Sequence, residues 1–209
     1  MATALLLKKL RIDGKEFVKD DELREYCKTM GTDYMATVKY LSSHGHMVRI
    51  FRGVFYVKTL DEEELGRTRY TPLELVARGL ELKGVKNWYF GLSTALKLNN
   101  MTHEHYAIDY VISDKLFRAK PIGITGYKFR FVKLAPKLVG FGVKTDGVRY
   151  SDPEKTVLDF VYTWRYNGVP KERILLDLRE WSDMLSKNTL RKYSENYPKT
   201  VRSIAEAIM

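Results

Sequence analysis

The 209-residue sequence predicts an α+β fold in two parts, and three observations carry that reading. Residues 32–58 run from a narrow apolar stripe through a glycine into two β-rich runs around an Arg-Gly turn. Residues 127–133 alternate, with Phe129 and Phe131 on one side and Lys128 and Arg130 on the other. The C-terminal third repeats apolar residues at three- and four-residue spacing, as in Ile174, Leu178, Trp181 and Leu185. Period two marks a strand and period 3.6 a helix, so helices and strands are both present and largely segregated.

Taken in order, Ala4, Leu5, Leu6, Leu7 and Leu10 make an apolar first helix, and Phe17–Val18 a short strand or a hydrophobic staple. Asp20–Asp21 open a second helix carrying Leu23, Tyr26 and Cys27. Met30–Gly31 turns the chain into a third, capped by Thr32 or Asp33, whose side-chain oxygens suit an orphan backbone N–H. Tyr34, Val38 and Leu41 form its buried stripe, and Gly45 ends it, where a left-handed residue is cheapest. Met47–Ile50 and Val54–Val57 then fold back through Phe51–Arg52–Gly53. Helix, helix, short glycine-containing turn, helix and β-ribbon is the order of a winged helix-turn-helix. On that reading Thr32, Thr37, Lys39, Tyr40 and Ser43 face duplex DNA, with Arg49 and Arg52 on the wing.

The polar stretch 59–70, with its acidic run Asp61–Glu64, reads as a linker. It divides a DNA-binding domain, 1–58, from a mixed α+β domain, 71–209, that ends in helices. In the second domain Thr71–Pro72 opens a helix that runs to Lys83–Gly84, since proline tolerates a first turn. Trp88–Gly91 leads into a short helix bearing Leu92, Ala95, Leu96 and Leu98. Strands follow at 106–112 and 127–133, the latter with one buried and one basic, wet face. A hairpin comes next, 141–144 and 148–150, around Asp146–Gly147. Ser151 or Asp152 caps the next helix, with Pro153 in its first turn, and the last helix runs from Tyr197.

A formal net charge of +10 favours a polyanionic partner. Its distribution is uneven: residues 115–145 hold eight cations and no Glu, with Asp absent as well. Lys120, Lys128, Arg130, Lys133 and Lys137 in that span form a candidate partner-binding or second nucleic-acid surface. One cysteine, Cys27, excludes an internal disulfide and fits a reducing compartment. No apolar run reaches the length of a membrane span, so no membrane association is expected and the location is expected to be cytoplasmic.

Catalytic chemistry is not legible. There is neither a Walker loop nor a dinucleotide fingerprint, and Gly123 and Gly126 do not precede a helix. The pairs His44/His46 and His103/His105 lack the further ligands of a metal site. No enzyme activity, cofactor or metal is expected.

Three segments resemble the AbiEi family of abortive-infection antitoxins from type IV toxin–antitoxin systems. These are the ribbon end Arg52–Val57, the aromatic-plus-small segment Tyr89–Leu96, and Ser151–Asp159, similar to the family's "SPEKALLDLL". The resemblance extends from residue 1 to about 165. The sequence departs from the family at Lys97–Leu98–Asn99–Asn100–Met101, where a glycine often follows the short helix. The resemblance implies a winged helix that binds inverted repeats in the protein's own promoter as an autorepressor. It also implies a C-terminal domain that counters a nucleotidyltransferase-like toxin encoded beside it. Two other readings stand alongside, a free-standing transcription regulator and a DNA-processing enzyme.

Overall fold

The computed structural model describes residues 2–209, and its elements are mixed α+β, in agreement with the sequence. The chain divides into two compact units, residues 1–86 with 124–126 and residues 87–123 with 127–209.

The first unit begins α1 (Ala2–Ile12), β1 (Phe17–Lys19), α2 (Asp20–Thr29), α3 (Tyr34–Ser43), β2 (Met47–Phe51) and β3 (Val54–Val57). Its three strands are ordered β1-β3-β2, all antiparallel. Leu6, Leu10, Val18, Leu23, Cys27, Leu41 and Phe55 close one core beneath the three helices. Leu5, in the middle of the α1 run, points outward instead. Asp33 caps α3 by accepting from Ala36 N at 2.8 Å, and Gly45 follows the helix at φ 76°. The β2–β3 turn is Arg52–Gly53, with the left-handed residue at Gly53. Element order and strand order together are those of a winged helix-turn-helix.

The expected linker is instead built into this unit. Residues Leu60–Glu64 form α4, anchored by the acid that made the stretch look solvated. Glu62 completes a capping box with Thr59, accepts from Tyr56 Oη at 2.5 Å and accepts from Arg69 N at 2.6 Å. These donors satisfy both of its oxygens, which is what a buried carboxylate requires. α5 (Pro72–Leu82), opened by Thr71–Pro72 as expected and capped by Thr71, also belongs to the first unit and not to the second. Gly79 explains why: a Cβ there would lie 2.7 Å from both Ile50 and Phe51, so α5 docks on the hairpin through a bare backbone. The boundary therefore falls after Lys86, not near residue 58.

The second unit holds β4 (Trp88–Gly91), α6 (Leu92–Leu98), β5 (Ile108–Ser113), all of β6 (Ile122–Ile124) but its last residue, and β7 (Tyr127–Lys133). There follow β8 (Val143–Asp146), β9 (Val148–Ser151), α7 (Pro153–Tyr166), α8 (Lys171–Ser182), α9 (Lys187–Ser194) and α10 (Lys199–Glu206). The sheet order is β6-β7-β5-β4-β9-β8, with β5 parallel to β7 and β4 parallel to β9. Tyr89, Ile112 and Val132 meet a helical layer built on Leu158, Val161, Leu178 and Ile204. Trp88, Phe90, Val111, Phe129 and Phe131, on the other side of the strands, are buried as well.

Candidate nucleic-acid interface

α3 presents a polar, acid-free outer surface. Lys39, Tyr40 and Ser43 are exposed on it, as are Arg49 on β2 and Arg52 at the turn. Thr32 is half-buried and spends its hydroxyl on the Cys27 carbonyl, so it stabilises the α2–α3 turn. Thr37 does not belong to the outer surface. It is 1% exposed, because three residues after Tyr34 and four before Leu41 place it on the same helical face as both. Its Oγ1 has no hydrogen-bond partner. The buried stripe is thus wider than Tyr34, Val38 and Leu41 alone. Met35 was missed: it is 70% exposed and lies one turn before Lys39 on the outer face. Its signal was Lys39 and Ser42, four and seven residues further on, which set it on a polar side of the helix.

Tyr40 starts a short stack of rings. Its centroid lies 4.2 Å from that of His44, and His44 and His46 are near-parallel at 6.1 Å. His44 Nδ1 donates to the Tyr40 carbonyl at 2.9 Å, and the Ser43 hydroxyl donates to the same oxygen at 3.1 Å. The last turn of α3 is therefore held by local side chains, with Tyr40 kept at the surface beside Lys39. His46 is paired with Glu63, which also accepts from Arg11.

The angle between α2 and α3 is fixed at their N-terminal ends. Tyr34 donates to Asp20, and the Arg24 guanidinium lies 3.9 Å over the Tyr34 ring. Burial, then the bond to Asp20, pushes the Tyr34 phenol up to about 12. The same bond from Tyr34, despite some burial, holds Asp20 below the usual carboxylate range, and the charges of Arg24 and Arg52 act in the same direction. Asp20 N also donates to the Gly53 carbonyl at 3.0 Å, so one residue ties the start of α2 to both α3 and the wing.

The five basic residues of the second unit do not form a single surface. Lys120 precedes β6, Lys137 sits in a 3-10 turn at Pro136–Leu138, and Lys133 ends β7. All three are exposed, as is Lys128. Arg130 is half-buried. In the parallel register Tyr110 lies opposite Arg130 and Ile112 opposite Val132, and paired residues share a face. The face expected to be wet is therefore the one turned toward the helices, where Lys128 is exposed and Arg130 and Val132 are half-buried.

The Ser151–Asp159 segment is structural. Asp152 caps α7, accepting from Lys155 N at 2.8 Å, and accepts from Tyr193 Oη at 3.0 Å. Glu154 accepts from Ser186 N at 2.7 Å, beside the start of α9. Lys155 and Asp159 form a fully buried pair, and Tyr89 and Tyr197 each donate to Asp159 at 2.7 Å. Burial pulls the Lys155 ammonium down and pushes both phenols well up. The four-residue spacing of Lys155 and Asp159 was the legible signal for this pair. Among the described residues no group of three or more His, Cys, Asp or Glu side chains is placed to hold a metal ion, and no helix is long and apolar enough to cross a membrane.

In sequence, the chain matches no protein-family model and no curated protein. In structure, it is similar to the Rv2827c protein of Mycobacterium tuberculosis, whose crystal structure superimposes with a TM-score of 0.62. The match spans 99% of this chain and 75% of that one at 13% identity, a likeness of fold.

Proposed function

We propose that the protein is a DNA-binding antitoxin that represses its own promoter through the winged helix and counters a nucleotidyltransferase-like toxin encoded beside it. The observation that carries the DNA-binding half is the outer surface of α3. It offers Lys39, Tyr40 and Ser43 without an acid, inside a unit whose β2–β3 hairpin exposes Arg49 and Arg52. A helix of this kind enters the major groove, and flanking arginines neutralise phosphates or reach the minor groove. No catalytic role is assigned to the chain, and its place is the cytoplasm, with double-stranded DNA and the toxin as partners. The antitoxin half rests on the resemblance of the 89–96 and 151–159 segments to AbiEi antitoxins.

The test of DNA binding is fluorescence anisotropy with a duplex of the protein's own promoter and a scrambled duplex of equal length. Arg49→Ala/Arg52→Ala should weaken both and flatten the salt dependence, since each phosphate left unneutralised lowers the salt slope by roughly one. Lys39→Ala/Tyr40→Ala should erode the preference for the promoter by about 1–3 kcal/mol for each base that is no longer read. Equal affinity of the unaltered protein for both duplexes rejects sequence-specific binding. A neighbouring gene whose product arrests growth, with rescue by this protein, tests the antitoxin half.

A further inference from the structure

Between α7 and the β5–β7 strands the second unit contains an open cavity of about 1140 Å³, on the scale of a ligand site. Three of its lining side chains carry polar atoms that are buried without a hydrogen-bond partner: Ser93 Oγ, Thr163 Oγ1 and Arg130 Nε. Leaving such groups unmet is costly, and all three belong to side chains that line one space.

The rest of the lining defines that acceptor. No acidic residue lines the cavity, while Arg130 and Lys133 both do, so the uncompensated charge is positive. The walls are aromatic: Tyr106 and Tyr110 from the sheet side face Phe160 and Trp164 on α7. Phe160 and Trp164 pack at 5.0 Å with Trp181 behind them, which fixes their planes. At the rim stand Phe117 and Tyr166, 67% and 84% exposed, an unusual placement for rings with no occupant to cover. The backbone is also strained here. Leu92, the residue before Ser93 and itself in the lining, sits at φ 51°, a left-handed conformation that a leucine rarely adopts.

We propose that this cavity binds a small planar aromatic anion. Its ring system lies between the sheet and α7 against Trp164, its negative group meets Arg130, and Ser93 and Thr163 bond its polar edge. A mononucleotide and an aromatic carboxylate share this chemistry.

Isothermal titration calorimetry of the full chain separates them. One arm uses the four nucleoside 5′-monophosphates, with the nucleosides and inorganic phosphate as controls. The other uses naphthoate and indole-3-acetate, with their neutral amides. One arm should give 1:1 binding, with the neutral analogues about tenfold weaker or more, the scale of a charge-assisted bond. Arg130→Gln should lose about tenfold as well. Thr163→Val, nearly isosteric, should lose a few-fold with the melting temperature unchanged. Absence of saturable binding in both arms overturns the proposal. So does equal binding by the neutral analogues, or full affinity in a folded Arg130→Gln.

Discussion

Lys155 Nζ lies 2.7 Å from Asp159 Oδ1 one turn further along α7, and both side chains are 0% exposed. Around the ammonium stand the rings of Tyr89, Phe141 and Tyr197 at 4.9–5.3 Å. The pair joins β4, α7 and the segment before α10 through two tyrosine hydroxyls. Removing one partner of such a pair leaves a buried charge unpaired, at a cost of about 3–5 kcal/mol. Lys155→Met should fall in that range by urea denaturation. Asp159→Leu should cost more, because it removes the ammonium's counter-charge and the acceptor of both hydroxyls, leaving Lys155 only its bond to Tyr197. The Lys155→Met/Asp159→Leu double variant should lose less than the sum of the two, and strict additivity would show that the pair is not coupled.

Glu62 gives the first unit a defined response to acid. Burial pushes its carboxyl up, but the bonds from Tyr56, from Arg69 N and from Thr59 outweigh burial and leave it below its ordinary 4.5. A carboxyl depressed in the folded state adds stability that is complete above about pH 4.5 and is lost as the pH falls through its folded value. Unfolding of the unaltered chain should therefore ease below that pH. Glu62→Gln should cost about 1–3 kcal/mol at neutral pH and weaken that acid dependence. An unchanged acid limb of the stability–pH curve in Glu62→Gln would count against this assignment.

The parts of the fold that were legible are those in which local chemistry and packing agree. Asp33, Gly45, Gly53 and Thr71–Pro72 act where their residue types say they should. What misled was charge whose partners lie far along the chain. Glu62 looks solvated until Tyr56 and Arg69 are brought to it, and the 59–70 stretch then becomes part of a domain. Arg130 looks wet until the parallel β5–β7 register sets Tyr110 beside it. Parallel pairing of strands separated by a long crossover leaves no short-range signature. At the candidate site, Lys39, Tyr40, Ser43, Arg49 and Arg52 are exposed as expected from the stripe. Thr37 failed because a three-residue offset on a helix shares a face as surely as a four-residue one.

Thr37 turns that correction into an experiment. Its hydroxyl is buried and without a partner, so it contributes nothing to a DNA face and costs something to the core. Thr37→Val should leave promoter affinity within about twofold and leave stability unchanged or raised by about 1 kcal/mol. Tyr40→Ala, one position inside the exposed arc, should lower promoter affinity with little change in stability. A Thr37→Val variant that folds normally and loses promoter binding would move the interface to the buried face of α3.

The basic residues of the second unit divide by exposure, and their roles should divide with them. Lys120, Lys128 and Lys137 are open to solvent, so charge reversal at each is tolerable to the fold. Arg130 is half-buried against Tyr110 and Val132, and a glutamate there would meet an apolar wall. Lys120→Glu/Lys128→Glu/Lys137→Glu should keep the melting temperature within a few degrees. If these lysines dock an acidic toxin surface, or compete for the toxin's nucleic-acid substrate, the triple variant should lose rescue of toxin-arrested cells and keep promoter binding. Arg130→Glu should lose stability first, by about 1–3 kcal/mol, and any loss of rescue would then follow folded fraction and not charge. Full rescue by the triple variant would remove the exposed lysines from antitoxin function. Joint loss of rescue and promoter binding would assign them to the DNA footprint.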